Sequence, residues 1–406
     1  MLKSSRLLGG ILLVSGTTIG AGMLALPVAT GMGGFLPTLV LLVLYWMVMT
    51  YTAFLMLEVN LWLGEENNII SMARKTLGKP GELISWVVYL ALLYLLTTAY
   101  VAGSRPIVTG FIYSLTGYEL PDWAGPIPLL GIFGFFVFEG TRYVDYINRM
   151  LMTGLVFAFC GMVLVLIPYV DQTLLVYSQS KFLLIGVPTI ATSYGFHIII
   201  PTLTSYLDRD IRKLKLSILI GSTIPLVVYI LWEVIALGIL PLGGDFGIVR
   251  GYLDGTNGVQ LLLGLLGDNR FGIIAQFFSF FAISTSFLGV SLSLVDFLAD
   301  GLKVKKTTWG RFLLCTLAFA PPLIIVMSYP RIFLAALEYA GAYCVMVLLA
   351  LLPALMVWSG RYRQGFQSTF KTPGGKIALI LVMITSGVVI AIEVVNNMGL
   401  LPYMKV

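Results

Sequence analysis

Apolar runs of about twenty residues, divided by short polar loops, fill this chain from end to end. Crossing a bilayer core of about 30 Å takes roughly 20 apolar residues in helical form. By that measure eleven segments are predicted to span: 7–30, 35–63, 82–104, 125–140, 149–169, 183–205, 215–240, 271–299, 309–328, 332–358 and 376–396. The fourth is the shortest. Breakers fall between spans, at "GMGG" (31–34), "GKPG" (78–81), "LPLGGD" (240–245) and "KTPGG" (371–375). The polar, amphipathic segment "NNIISMARKTLG" at 67–78 is predicted to lie along the cytoplasmic face between spans two and three. Within the polar stretch 241–270, "NGVQLLLGLLG" at 257–267 is too short to span and is predicted to cap the external side. The apolar stretch behind Lys3 and Arg6 outruns a signal peptide and lacks a small-x-small cleavage site, so it is read as a retained first span.

Composition agrees with the pattern. Of 406 residues, 58% are hydrophobic and 11% charged, and the mean hydropathy is +0.96. A soluble domain carries about 25% charged residues. The class is therefore an all-α polytopic membrane protein, with the lipid bilayer as its surroundings. With a cytoplasmic N-terminus, all but six of the 25 lysines and arginines fall on the cytoplasmic side; the six are Arg105, Lys181, Arg250, Arg270, Arg331 and Lys405. That bias sets the orientation in the cell inner membrane, and the odd span count places the C-terminus in the periplasm. The net charge of +6 then faces anionic lipid, and nucleic acid is not expected as a partner. Cys160, Cys315 and Cys344 sit irregularly in apolar runs and read as packing residues. A lone histidine, His197, excludes a multi-histidine metal centre, and no metal or cofactor is expected. No HExxH, GxSxG or Walker A sequence is present, which argues against an enzyme and for secondary rather than ATP-driven transport.

Two spans break the apolar pattern in the same way. "GTTIGAGMLALP" at 16–27 and "ATSYGFHIIIP" at 191–201 each place small and polar residues mid-span, then apolar residues, then proline. They lie in spans one and six, five spans apart, so the two halves run in opposite orientation. Matched interruptions of this kind point to a transporter with inverted repeats and a site at the midplane. A helix break frees backbone groups, which in lipid is tolerable only where something else satisfies them. A zwitterionic amino acid fits. Its carboxylate can accept from N–H groups opening a half-helix, where the dipole favours an anion. Ala21, Gly22 and Met23 are the expected donors, and Gly20, Ala21 and Gly22 are small enough to allow close approach. Its ammonium can donate to carbonyls at Thr18 and Ile19 and, across from them, at Ser193 and Tyr194, beside Gly195. His197, two residues after Gly195, reads either as a buried hydrogen-bonding residue or as a substrate-adjacent, proton-sensitive group. Four acids lie within or near spans. Glu58, Asp296 and Glu338 are near ends, where solvation accounts for them; Glu233 is well inside span seven and is the better proton-relay candidate.

The stretches "SGTTIGAGMLALPVATGMGGF", "SYGFHIIIPTLTSYL", "SFLGVSLSLVDFLADGLK" and "EYAGAYCVMVLLALLPALMVW" resemble the hydroxy/aromatic amino acid permeases, most closely the bacterial tyrosine- and tryptophan-specific ones. The likeness covers essentially the whole chain. It implies membership of the amino acid–polyamine–organocation superfamily, with five-plus-five inverted repeats at 1–170 and 183–358. Residues 359–406 would then hold a cytoplasmic loop and one further span. It also implies uptake of an aromatic L-amino acid, tyrosine or tryptophan, with a coupling proton. In that fold span three lines the cavity, which makes Thr97, Thr98 and Tyr100 candidate side-chain contacts. Tyr194 and Phe196 are candidates to stack on an aromatic ring. Superfamily members that use sodium hold it with span-eight hydroxyls and span-one carbonyls, so Ser284, Thr285 and Ser286 leave sodium coupling open. A channel, or a sensor on the same scaffold, are competing readings; the paired breaks weigh against the first and the lack of a long soluble domain against the second.

Overall fold

The computed structural model describes residues 2–63, 67–267, 269–329, 331–367 and 369–398. The periplasmic end expected for the C-terminus concerns residues 399–406, including Lys405, and lies outside the described residues, as do the side chains of Lys3 and Arg270. Every regular element among the described residues is helical, and one isolated bridge joins Gly34 and Ser178. The first half comprises α1 Leu2–Thr18, α2 Gly22–Thr30, α3 Phe35–Trp62, α4 Ile69–Thr116, α5 Ile127–Glu139, α6 Thr141–Leu166 and α7 Gln172–Leu175. The second comprises α8 Val187–Ser193, α9 Ile200–Tyr206, α10 Ile211–Leu237, α11 Ile248–Asp254, α12 Gly258–Leu266, α13 Asn269–Leu302, α14 Thr308–Ser328, α15 Ile332–Tyr339, α16 Leu352–Tyr362 and α17 Gly375–Asn397. Between α15 and α16 the chain runs through a π-helical stretch, Ala340–Leu351.

Among the described residues, nine helical stretches are long and apolar enough to cross a bilayer, and the bent pair α1–α2 makes a tenth. The segment expected as span four is α5, 13 residues long. At about 1.5 Å per residue it reaches roughly 20 Å, short of the core thickness of about 30 Å. The amphipathic segment expected at 67–78 is the start of α4, behind a reciprocal cap between Asn68 and Ser71. It ends at Gly78, whose φ of 74° suits glycine and turns the chain before the apolar part of α4 begins. The expected external helix is α12; Asn257 caps it, and its buried Val259, Leu261 and Leu262 belong to an element packed on α2. It therefore covers the second half of span one instead of lying on the surface alone.

Burial sorts the spans into centre and rim. In Ile332–Tyr362 and Ser180–Tyr206, 78% and 67% of the most apolar window is buried, against 22% in Thr308–Ser328. The packing is regular. Helix α1 lies on α10, while α8 and α9 lie on α3; α6 lies on α13, while the π stretch and α16 lie on α4; α5 lies on α13, while α14 lies on α4. Helix α17 packs on the π stretch and α16, outside that pattern. Solvation at a helix end does not account for Glu58. Its carboxylate is buried against the Arg361 guanidinium, with side chains 2% and 4% exposed, and accepts from Thr372 N–H at 2.7 Å. Arg361 also donates to Thr372 O at 2.8 Å, so the loop after α16 is fastened to α3.

Candidate functional site

Helix α1 stops at Thr18, and α2 starts at Gly22 with its axis turned by 52°. Span six is interrupted as well: α8 stops at Ser193, and a short 3₁₀ turn, His197–Ile199, leads into α9 within the single stretch Ser180–Tyr206. Each break strands backbone groups that need partners. The Thr18 carbonyl accepts from the Tyr229 hydroxyl at 2.7 Å, and the Ser193 carbonyl accepts from the same hydroxyl at 2.9 Å. One phenol on α10 thus joins the last carbonyls of both half-helices. Ala21 N–H donates to Ser286 Oγ at 2.9 Å, Ser286 donates to Ala282 O at 2.9 Å, and the Tyr100 hydroxyl of α4 meets the Ser286 side chain. Met23 N–H turns back to Gly20 O at 3.1 Å. The Ile19 carbonyl and the Gly22 N–H meet no partner among the described residues.

The two breaks touch. A Cβ on Gly22 would lie 3.0 Å from Ser193 Oγ, and one on Gly20 would collide with Ser286 Oγ. Small residues at these positions let span one approach both span six and span eight.

One face of α10 serves this junction, through Tyr229, Trp232 and Glu233 at i, i+3 and i+4. Trp232 Nε1 donates to Met23 O at 2.8 Å. That carbonyl needs an outside donor, because its partner one turn on is Pro27, which has no N–H. Glu233 Oε1 lies 3.2 Å from Thr30 Oγ1, and Glu233 Oε2 is buried without a partner among the described residues. The sequence reading singled out Glu233 but not Tyr229 or Trp232; the signal was a polar-tipped "YILWE" face in an otherwise apolar span.

The remaining expected residues divide. The Tyr194 ring lies 5.4 Å from that of Tyr229, and its hydroxyl is buried without a partner among the described residues. Gly195 N–H turns back to Thr192 O at 3.1 Å. Phe196 is buried, its ring 5.1 Å from that of His197. His197 turns toward α3, with Nε2 2.8 Å from Thr52 Oγ1 and Nδ1 without a partner among the described residues. The Thr52 hydroxyl also lies 3.1 Å from Met49 O in its own helix. Thr97 and Thr98 donate to Leu93 O at 2.7 Å and Tyr94 O at 2.8 Å within their own helix. Of the three span-eight hydroxyls, Ser286 reaches the break. Thr285 donates back to Phe281 O at 2.8 Å, and Ser284 lines a separate cavity of about 50 Å³ with Ser104 and Phe133. The π stretch gave no warning in the sequence. In α15, just before it, Leu337 O accepts from Thr192 Oγ1 at 2.9 Å, a bond that ties span ten to the break in span six.

The structure is a many-span helical bundle in which two interrupted spans meet, and comparison with known proteins decides the family. Residues 3–393 match the tryptophan/tyrosine permease family. The chain belongs to this family. It is a multi-pass membrane permease, not an enzyme. It is 32% identical to the tyrosine-specific transport system 2 of Haemophilus influenzae over 405 residues, 99% of each chain. The tyrosine-specific transport system 1 of the same organism is 34% identical over 402 residues, 98% of this chain and 99% of that one. Its tryptophan-specific transport protein is 30% identical over 409 residues, 98% of this chain and 97% of that one. At the meeting point of the two half-helices, the Ile19 carbonyl is an acceptor and the Gly22 N–H a donor, both unmet among the described residues.

Proposed function

We propose that this permease imports tyrosine, tryptophan or both by proton symport, alternating access between the two membrane faces around the paired breaks. The carrying observation is the junction itself: Gly22 against Ser193, with the Thr18 and Ser193 carbonyls converging within 2.9 Å of one hydroxyl. In this reading the substrate carboxylate accepts from N–H groups at Ala21, Gly22 and Met23, and the ammonium donates to carbonyls at Thr18, Ile19, Ser193 and Tyr194. Gly20 and Gly195 leave the room for that approach. Thr97, Thr98, Tyr100, Phe196 and His197 are the proposed surroundings of the side chain. The names of the relatives support an aromatic one.

The packing pattern supports a five-plus-five inverted repeat, 1–170 and 183–358, with α5 as a short fourth of eleven crossings. Moving every span on by five turns one–seven contact into six–two, five–eight into ten–three and four–eight into nine–three, and all of these pairs are in contact. Span eleven, in 359–406, stands outside the repeat. The basic loops support an N-terminus in the cytoplasm and a C-terminus in the periplasm of the inner membrane.

Proton coupling is favoured over sodium by two features. Ser286 is engaged with Ala21 and Ala282, while Ser284 and Thr285 bond elsewhere or not at all. Glu233, by contrast, sits on the second half of span one beside Thr30, whose single proton has a nearer acceptor in Leu26 O at 2.8 Å. A proton on Glu233 completes that set, and a buried carboxyl with one free oxygen is suited to carry it. The test is uptake of labelled tyrosine, tryptophan and phenylalanine into proteoliposomes, with proton and sodium gradients imposed separately. Saturable, proton-driven uptake of tyrosine or tryptophan is expected. Uptake of neither under any gradient would refute the reading.

A further inference from the structure

The groups proposed to read an amino acid are held by hydroxyls of the protein itself. The carbonyls of Thr18 and Ser193 both accept from Tyr229, at 2.7 and 2.9 Å. The Ala21 N–H donates to Ser286 Oγ at 2.9 Å. A hydroxyl donor therefore stands where an ammonium would donate, and a hydroxyl acceptor stands where a carboxylate would accept. The two sets of bonds exclude each other. With the phenol bonded to both carbonyls, an ammonium can take up the pair only where Tyr229 gives up those bonds.

Position makes the substitution reversible. Tyr229 is fully buried on α10, its ring packed 5.4 Å from that of Tyr194, so it arrives from span seven and not from either broken span. Ser286 arrives from span eight, and its own proton stays on Ala282 O. Each is an outside hand on a broken end. A phenol has one proton for two carbonyls, whereas an ammonium has three. Substrate can thus satisfy the pair better than Tyr229 does, and Tyr229 satisfies it better than nothing.

The geometry points to Tyr229 and Ser286 as internal stand-ins for the two ends of the substrate, which let the carrier close its breaks and reorient without cargo. This rests on the reading that the junction takes an amino acid. Tyr229 is on this account a positioning residue, acting through the carbonyls it holds. Removing its hydroxyl leaves two buried carbonyls without a donor at the one stage of the cycle that lacks substrate. Net uptake needs that stage; exchange of internal for external substrate does not.

The test is Tyr229→Phe in proteoliposomes, measuring net uptake of labelled tyrosine and tryptophan beside counterflow exchange of the same substrates. The ratio of net uptake to exchange is expected to fall by about tenfold or more, the scale set by an unmet buried carbonyl. The rise in thermal midpoint on adding saturating substrate is expected to exceed that of the unsubstituted protein, because substrate then repairs what the substitution broke. If net uptake and exchange fall in proportion, Tyr229 is a substrate contact or a structural residue, and the inference is wrong; unchanged values of both are equally fatal to it. Should Tyr229→Phe not accumulate as folded protein, Ser286→Ala carries the same test with the same expected fall in ratio. Absence of any tyrosine or tryptophan transport in the unsubstituted protein would overturn the proposed function instead, and the two failures are told apart by that control.

Discussion

At Gly22 the distance to Ser193 Oγ, 3.0 Å from the position a Cβ would take, makes side-chain size the controlling variable. Gly22→Val is expected to cut uptake by about tenfold or more while the protein still inserts, with Gly22→Ala milder; kinetics normalised to membrane-inserted protein check this. Unchanged uptake by Gly22→Val would show that the breaks do not meet in this way. Tyr194 makes the opposite case. Its buried hydroxyl has no partner among the described residues, and such a group costs about 1–3 kcal/mol where it stays unmet. Tyr194→Phe is expected to hold or raise the thermal midpoint of the detergent-purified protein, and a clear drop would reveal a partner for the hydroxyl. Gly20, Gly22 and Pro27 were legible as a break because they change the backbone wherever they occur. Tyr229 was not, being one of 20 tyrosines in a chain where aromatic residues crowd every span; only the facing of α10 onto Thr18 and Ser193 singles it out. His197 was legible as a buried polar residue, but its turn toward Thr52 on α3 depends on how spans two and six pack.

Periodicity and length delivered the long helices well, because roughly twenty apolar residues leave few alternatives in a bilayer. Exceptions came from elements whose form depends on neighbours. The π stretch Ala340–Leu351 lies in a run as apolar as its flanks, and what distinguishes it is contact with α8, so close that a Cβ on Gly341 would collide with the Pro188 carbonyl. Glu58 looked like a helix-end residue until Arg361, about three hundred residues on in sequence, proved to be its partner. Both side chains are almost fully buried, and removing one member of such a pair costs about 3–5 kcal/mol by leaving the other charge unpaired. Glu58→Ala is therefore expected to lower the thermal midpoint strongly, and adding Arg361→Met to recover part of the loss. A double variant no better than the single one would contradict this account of the fastening between α3 and the loop after α16.

Across the whole molecule, the offset-by-five contact pattern gathers the breaks of spans one and six, one face of span seven and Ser286 of span eight around a single junction. Glu233 lies on that face, so neutralising it should separate binding from energy coupling. Glu233→Gln is expected to bring the accumulation ratio of substrate under an imposed pH gradient toward unity; retention of the full ratio would remove Glu233 from the coupling route. A membrane potential contributes about 2.3 kcal/mol per charge per 100 mV, so one proton suffices for accumulation of more than about tenfold. The central claim is that backbone groups at the paired breaks recognise both ends of a zwitterion. It is tested most directly by competition against labelled tyrosine with two analogues, tyramine, which lacks the carboxylate, and 3-(4-hydroxyphenyl)propionate, which lacks the ammonium. Both are expected to compete about a hundredfold or more weaker than tyrosine, since each lacks one of the two charged ends for which the breaks are proposed to select. Competition by either analogue as strong as that of tyrosine itself would contradict the account.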